Sequence, residues 1–171
     1  MIKLTTIVDE NDKEIGYKED SLITRDDIYR ATGLLIVNSQ GQVLLAKRVL
    51  TKTHSPGKWA PAVAGTVEKG ENYDSNIIKE GKEELGLDLD ISELEMSLKS
   101  RVKLDWNYFA QIYFYKCDKA VAEFNFDKKE ASELKWFSLT ELKNEFHNHP
   151  EHFVPNFVNY YPLVEKRLAG Q

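Results

Sequence analysis

A single cysteine, Cys117, occurs in 171 residues, so no disulfide can form within the chain, and a reducing compartment suits it. Long apolar runs are missing too: none approaches the roughly 20 residues that span a bilayer. A basic excess is absent. Lys and Arg number 23 against 28 Asp and Glu, a net charge of −5, so the surface has no general means of neutralising a nucleic-acid polymer or an anionic membrane. A phosphorylated small molecule is still compatible, provided a cation carries the attraction. The opening residues, MIKLTTIVDENDKEIG, carry acids within the first ten positions and no apolar core, so they do not read as a secretory signal. The expected location is the cytoplasm. Repeats, low-complexity segments and linkers are also absent.

What is present is ordinary for a globular chain: 42% hydrophobic and 30% charged residues, with eight Phe, eight Tyr and three Trp to fill an interior. Length and composition fit one domain over residues 1–171, with 1–27 as an N-terminal hairpin extension. In that extension KLTTIV and EIGYK flank the turn-rich DENDK. A stronger hairpin follows, YRATGLLIV and VLLAKR around NSQGQ. Residues 49–61, VLTKTHSPGKWAP, read as a loop. WNYFAQIYFYKC and LKWFSL read as strands, with Ser138 capping a helix through TELKNEF. The last segment, NFVNYYPLVEKRLA, is helical, and Pro162 should kink or divide it. Strands before and after a central helix predict a mixed α/β domain.

That central helix is predicted over Tyr73–Leu85, with Asn72 as N-cap and Gly86 just past its end. Ile77, Ile78 and Leu85 form an apolar arc that can pack on a sheet. Glu80, Glu83 and Glu84 share an adjacent face, since positions three and four apart are neighbours on a helix. Like charges there repel unless a cation sits among them. Mg²⁺ prefers such oxygen ligands and bridges one or two carboxylates to substrate phosphate. Upstream, AGTVEKGE can bring backbone carbonyls to the same place, because glycine permits close approach. Glu71 at the end of that loop can pair with Lys79. Taken alone, KEGKEELG is more often a solvated helix face.

The complete spacing is more specific. Gly65, Glu71, Lys79-Glu80, Glu83-Glu84, Gly86 and Leu87 match the Nudix box over 65–87, G-x5-E-x7-R-E-U-x-E-E-x-G-U with U aliphatic, at seven of nine fixed positions. The chain therefore resembles the Nudix hydrolase superfamily. Two positions depart: Lys79 stands for the box arginine and loses its planar fork, and Gly81 stands for an aliphatic residue. The resemblance implies an α/β/α sandwich with a mixed β-sheet. It implies a divalent cofactor, Mg²⁺ with Mn²⁺ as the alternative, held by Glu80, Glu83, Glu84 and the Gly65 backbone. Gly65, Glu71, Lys79 and Gly86 then shape the box. The implied activity is hydrolysis of a phosphoanhydride bond in a nucleoside diphosphate linked to another moiety, or in a related organic pyrophosphate. Catalytic candidates are Glu80, Glu83, Glu84 and Glu130, with Glu133 weighed beside Glu130. Arg30, Lys47 and Arg48 are candidates for substrate phosphates. The partner is a small-molecule diphosphate, and a homodimer is compatible.

The N-terminal IVDENDKEIGYKED, YRATGLLIVNSQGQVLLAKR and SPGKW resemble the branch that contains isopentenyl-diphosphate isomerase and its hydrolase-like relatives. Isomerases need a cysteine just before the box glycine as acid and base at carbon. Here that residue is Ala64, and Cys117 lies far along the chain as an expected core residue. Isomerase activity is therefore disfavoured, as is a Nudix fold kept only for binding, since all three glutamates are present. His147, His149 and His152 in HNHPEHF raise a metal site, but their spacing is not the helical i, i+4 pair, and a surface loop is expected. His54 and Lys58 are expected as solvated loop residues. Trp59, Trp106, Tyr108 and Phe109 are expected in the core rather than against a base.

Overall fold

The computed structural model describes residues 2–170. Its centre is β3 (Ile28–Val37), whose run GLLIV is apolar without alternation because both faces are covered. Leu34 and Ile36 face one layer and Leu35 and Val37 the other, and all four are at most 1% exposed. Parallel to β3 runs β8 (Asn107–Lys116), paired from Ile28↔Asn107 to Val37↔Lys116. Antiparallel neighbours complete a mixed sheet of nine strands. They include β1 (Leu4–Val8) with β2 (Glu14–Glu19), and β7 (Glu95–Lys103) beside β8.

β4 (Gln42–Arg48) returns from β3 through a turn in which Asn38 Oδ1 accepts the N–H groups of Gln40 and Gln42, with Gly41 at φ 71°. β3 and β4 pair only at Ile36↔Leu44 and Val37↔Val43. Beyond that they part. β3 goes on with β6 (Val63–Thr66), and β4 with β5 (Trp59–Pro61) and β9 (Ala131–Ser138). This fork opens the sheet where the functional cavity lies.

Helix α1 (Tyr73–Leu85) covers one face, burying Ile77 and Leu85. Asn72 caps it by accepting the Ser75 N–H at 2.8 Å, and Ser75 Oγ accepts the Asn72 N–H in return. Gly86 ends it at φ 66°, its own N–H donating to the Lys82 carbonyl at 3.1 Å as in an αL cap, and Leu87 N–H reaches the Gly81 carbonyl at 3.0 Å. Helices α2 (Leu139–Asn148, capped by Ser138) and α3 (Phe157–Ala169) cover the opposite face. The expected sandwich is therefore present, with the Tyr73–Leu85 bounds as predicted.

Three expectations need correction. Pro162 does not divide the last helix: α3 is unbroken, because Pro162 is exposed while Phe157, Tyr160, Tyr161, Val164 and Leu168 anchor the other side in the core. The loop predicted over 49–61 gives way at Trp59, where three buried residues form β5. β7 was not expected from EMSLKSRVK, since only Val102 is fully buried and the rest is charge-rich, as suits an edge strand. Among the described residues no helix is long and apolar enough to cross a membrane.

Candidate active site

Gly65 and Glu80 set the geometry. A side chain at Gly65 on β6 would place its Cβ 2.3 Å from Glu80 Cγ and 2.7 Å from Oε1. The missing side chain is therefore what lets the Glu80 carboxylate lie over the strand. Asn76, one turn earlier and fully buried, fixes that corner. Its Nδ2 donates to the Thr66 carbonyl at 3.0 Å and to Glu71 Oε2 at 2.8 Å, and its Oδ1 accepts from Thr32. Nothing in the composition singled out Asn76; its place four residues before Glu80 was the available signal.

Lys79 meets Glu71 at 2.7 Å, as the spacing predicted, and also Glu68 at 2.9 Å and Glu80 at 3.5 Å. Burial works against its charge, but Glu71 and Glu68 outweigh it and raise its pKa. The lysine's point charge thus serves three carboxylates without needing the guanidinium fork. Lys3 on the N-terminal segment adds a second cation to Glu68 at 3.1 Å.

Glu84, half-buried, accepts the Ala64 N–H at 2.9 Å. Burial pushes its carboxyl up to about 8 against the pull of that N–H, and Glu80 and Glu130 add to the rise. Glu80 is raised as well, chiefly by burial, with Glu83 contributing. Glu83 is exposed and lines the same cavity. Glu130, immediately before β9, faces these groups and is ion-paired to Lys52. Asp127, which the sequence reading missed, joins them; its N–H donates to the Glu84 carbonyl at 2.9 Å and ties this loop to the end of α1.

Carboxyls raised by burial, with one another's charge adding to it, are what a bound cation would relieve, and the side-chain-free Gly65 leaves the space, so the donor set fits a hard divalent ion.

The cavity measures about 820 Å³. Its acidic end is α1 and residues 127–130. Arg48 and the loop after it, with Lys52, Thr53, His54 and Ser55, form one side. Asp20 and Ile23 from the N-terminal extension line the cavity too, as do Tyr29, Trp106, Tyr108 and Tyr160. Of the proposed phosphate contacts, Arg48 stands at the cavity. Arg30 and Lys47 stand outside it. Arg30 donates to Asp12 at 2.7 Å over the Tyr73 ring, and Lys47 lies 5.6 Å from the Trp59 ring centroid. Glu133 is exposed opposite Lys47 on β9, also away from the cavity.

Trp59 is a core residue, edge-on to Phe137; Tyr108 is buried in the same core with Trp106 packed against it, and both also line the cavity. Cys117 is buried at the end of β8. His147 stands apart, while His149, Glu151 and His152 cluster on the surface between α2 and α3 with ligating atoms within 4.8 Å. The two imidazoles stack at 16° between planes, so their in-plane lone pairs run side by side rather than converging.

A family model of the NUDIX domain matches residues 28–157, and the chain belongs to that family. It is 26% identical over 176 residues to isopentenyl-diphosphate Delta-isomerase 2 of Photorhabdus laumondii, covering 96% of this chain and 97% of that one. It is also 26% identical over 150 residues to the prenyl-diphosphate phosphatase of Methanosarcina mazei, covering 86% of each. Among solved structures, DR0079 from Deinococcus radiodurans superposes with a TM-score of 0.75 at 21% identity, over 95% of this chain and 98% of that one. That likeness is one of fold.

Proposed function

We propose that the protein hydrolyses a phosphoanhydride bond of an organic diphosphate, a nucleoside diphosphate linked to a second group being the first choice. The observation that carries the reading is one cavity lined by both Glu80, Glu83 and Glu84 and the cations Arg48 and Lys52. Mg²⁺ or Mn²⁺, held by these glutamates and the Gly65 backbone, would supply charge neutralisation and a water of lowered pKa. The chain's own groups do the rest. Arg48 and Lys52 draw the diphosphate against the glutamates. Glu130 accepts the proton of the attacking water once its partner Lys52 turns to phosphate. Ala64 N–H holds Glu84 through its Oε2 at the cavity.

A second reading, isomerisation of isopentenyl diphosphate, draws support from the similarity to the Photorhabdus isomerase. It needs a proton delivered to one carbon and removed from another. The residue before the box glycine is Ala64, whose methyl cannot transfer a proton, and Cys117 does not reach the cavity. The retained glutamates also weigh against a fold kept for binding alone. Cys117 as a buried free thiol is in keeping with the cytoplasm as the place of action.

The test is a panel of nucleotide sugars, dinucleotide polyphosphates, oxidised nucleotides and prenyl diphosphates, assayed with Mg²⁺ and with chelator. Metal-dependent release of two phosphorylated products from at least one supports the reading. Conversion of isopentenyl diphosphate to its allylic isomer, in protein free of contaminating isomerase, would overturn it.

A further inference from the structure

The wall of the cavity carries three phenols from three elements: Tyr29 on β3, Tyr108 on β8 and Tyr160 on α3. The Tyr29 and Tyr108 rings stack with centroids 5.4 Å apart. Tyr160 lies directly against Gly33, where a Cβ would stand 3.0 Å from both its ring and its hydroxyl. A side chain at 33 would thus push Tyr160 out of place. Tyr160 is only 6% exposed.

These hydroxyls are short of partners. Asn156 Nδ2 donates to the Tyr108 hydroxyl at 2.9 Å. Among the described residues, nothing in the protein meets the hydroxyl of Tyr29 or Tyr160, and nothing accepts the Tyr108 proton. Among the described residues no unpartnered polar side-chain atom is sealed from accessible space, and all three tyrosines line the cavity. Burial raises the pKa of all three, and the phenols' mutual proximity adds to the rise for Tyr29 and Tyr160. They therefore stay protonated and act as donors. Ile23, Leu104 and Trp106 supply apolar surface beside them.

A set of deeply placed donors next to flat apolar walls suits a group with a planar or apolar face and a hydrogen-bond-accepting edge. A hydrocarbon chain would strip water from the three hydroxyls and return nothing, which is the penalty that makes polar sites reject apolar analogues. We propose that Tyr160, with Tyr29 and Tyr108, is the specificity-determining element of the cavity and selects an organic diphosphate whose organic half carries hydrogen-bond acceptors, against purely hydrocarbon diphosphates. The inference rests on the diphosphate reading above. It runs opposite to a direct transfer from the prenyl-named relatives.

The test is binding measured by calorimetry with Mg²⁺, using ADP, UDP, isopentenyl diphosphate and inorganic pyrophosphate, each recovered intact afterwards. The wild type should hold ADP or UDP at least about tenfold more tightly than isopentenyl diphosphate. Tyr160→Phe, which removes one hydroxyl, should weaken the preferred nucleotide about fivefold more than it weakens pyrophosphate. It should also narrow the gap to isopentenyl diphosphate. Should Tyr160→Phe lose its fold, Tyr29→Phe must show the same ligand-dependent loss. Tighter binding of isopentenyl diphosphate than of either nucleotide overturns the inference, as does an equal effect of the variant on all ligands. If pyrophosphate itself fails to bind with Mg²⁺, the diphosphate reading falls and this inference with it. If pyrophosphate binds and the hydroxyl has no ligand-dependent effect, this inference alone falls.

Discussion

Leu89 Cδ1 lies 2.5 Å from the point where a methyl group on Gly81 would stand. The Nudix box has an aliphatic side chain at position 81, and here the apolar bulk comes instead from Leu89, just after the helix. Leu89 is 9% exposed and belongs to the α1-side core. Gly81 is therefore matched to its neighbour, and not simply a weak point in α1.

Helix propensity alone would make Gly81→Ala stabilising by about 1 kcal/mol. With Leu89 in place the substitution should instead be neutral or destabilising by about 1–2 kcal/mol, since overpacking forces the leucine off its rotamer. In a Leu89→Ala background the same change should turn stabilising. Urea denaturation of the four proteins in this cycle checks it, and additive effects would contradict the pairing.

Gly65→Ala should separate folding from function. Its methyl would fall 2.3 Å from Glu80 Cγ, so the carboxylate must leave the cavity or the strand must shift. We expect a loss of turnover of about 10²-fold or more, with a weaker Mg²⁺ affinity. The circular dichroism spectrum should be retained. Wild-type Mg²⁺ affinity in this variant would show that Glu80 does not contact the ion.

The metal-free protein should lose stability as pH rises. Glu84 has its folded pKa raised from 4.5 to about 8 by burial, with Glu80 and Glu130 adding to the shift while Ala64 N–H and Lys52 oppose it. A carboxyl raised in this way contributes stability that is full below its unfolded value and is lost as pH climbs through the folded one. Thermal unfolding from pH 5 to 9 should fall more steeply for the wild type than for Glu84→Gln, and saturating Mg²⁺ should flatten the wild-type curve. Parallel curves for the two metal-free proteins would remove Glu84 as the source.

How much of this was legible in the chain depends on sequence distance. Asn72, Gly86 and the Glu71–Lys79 pair each act through residues a turn or two away, so local spacing carried them. Lys52, Asp127 and Tyr160 reach the cavity from loops and helices far away in sequence, and no local pattern marks them. Arg30 shows the same gap. On β3 it alternates with Tyr29 and Ala31, and those two line the cavity while Arg30 turns to Asp12. Strand parity alone would not have excluded it, since Thr32 on the same face of β3 also lines the cavity; the ion pair to Asp12 is what takes Arg30 away. The parting of β3 from β4 after two residue pairs is likewise a long-range outcome, since β6 takes over that edge of β3 and β5 that edge of β4.

The central claim is that Glu83 and Glu84 hold a divalent ion that activates water against a diphosphate. Its most direct measurement is steady-state turnover, with Mg²⁺ and water labelled with heavy oxygen, of the best substrate from the panel. Wild type is compared with Glu83→Gln and Glu84→Gln. The account predicts a fall in kcat of at least about 10²-fold in each variant, with the fold intact and one heavy oxygen entering at the cleaved bond. Unchanged turnover in both variants, or products carrying no label, would contradict it.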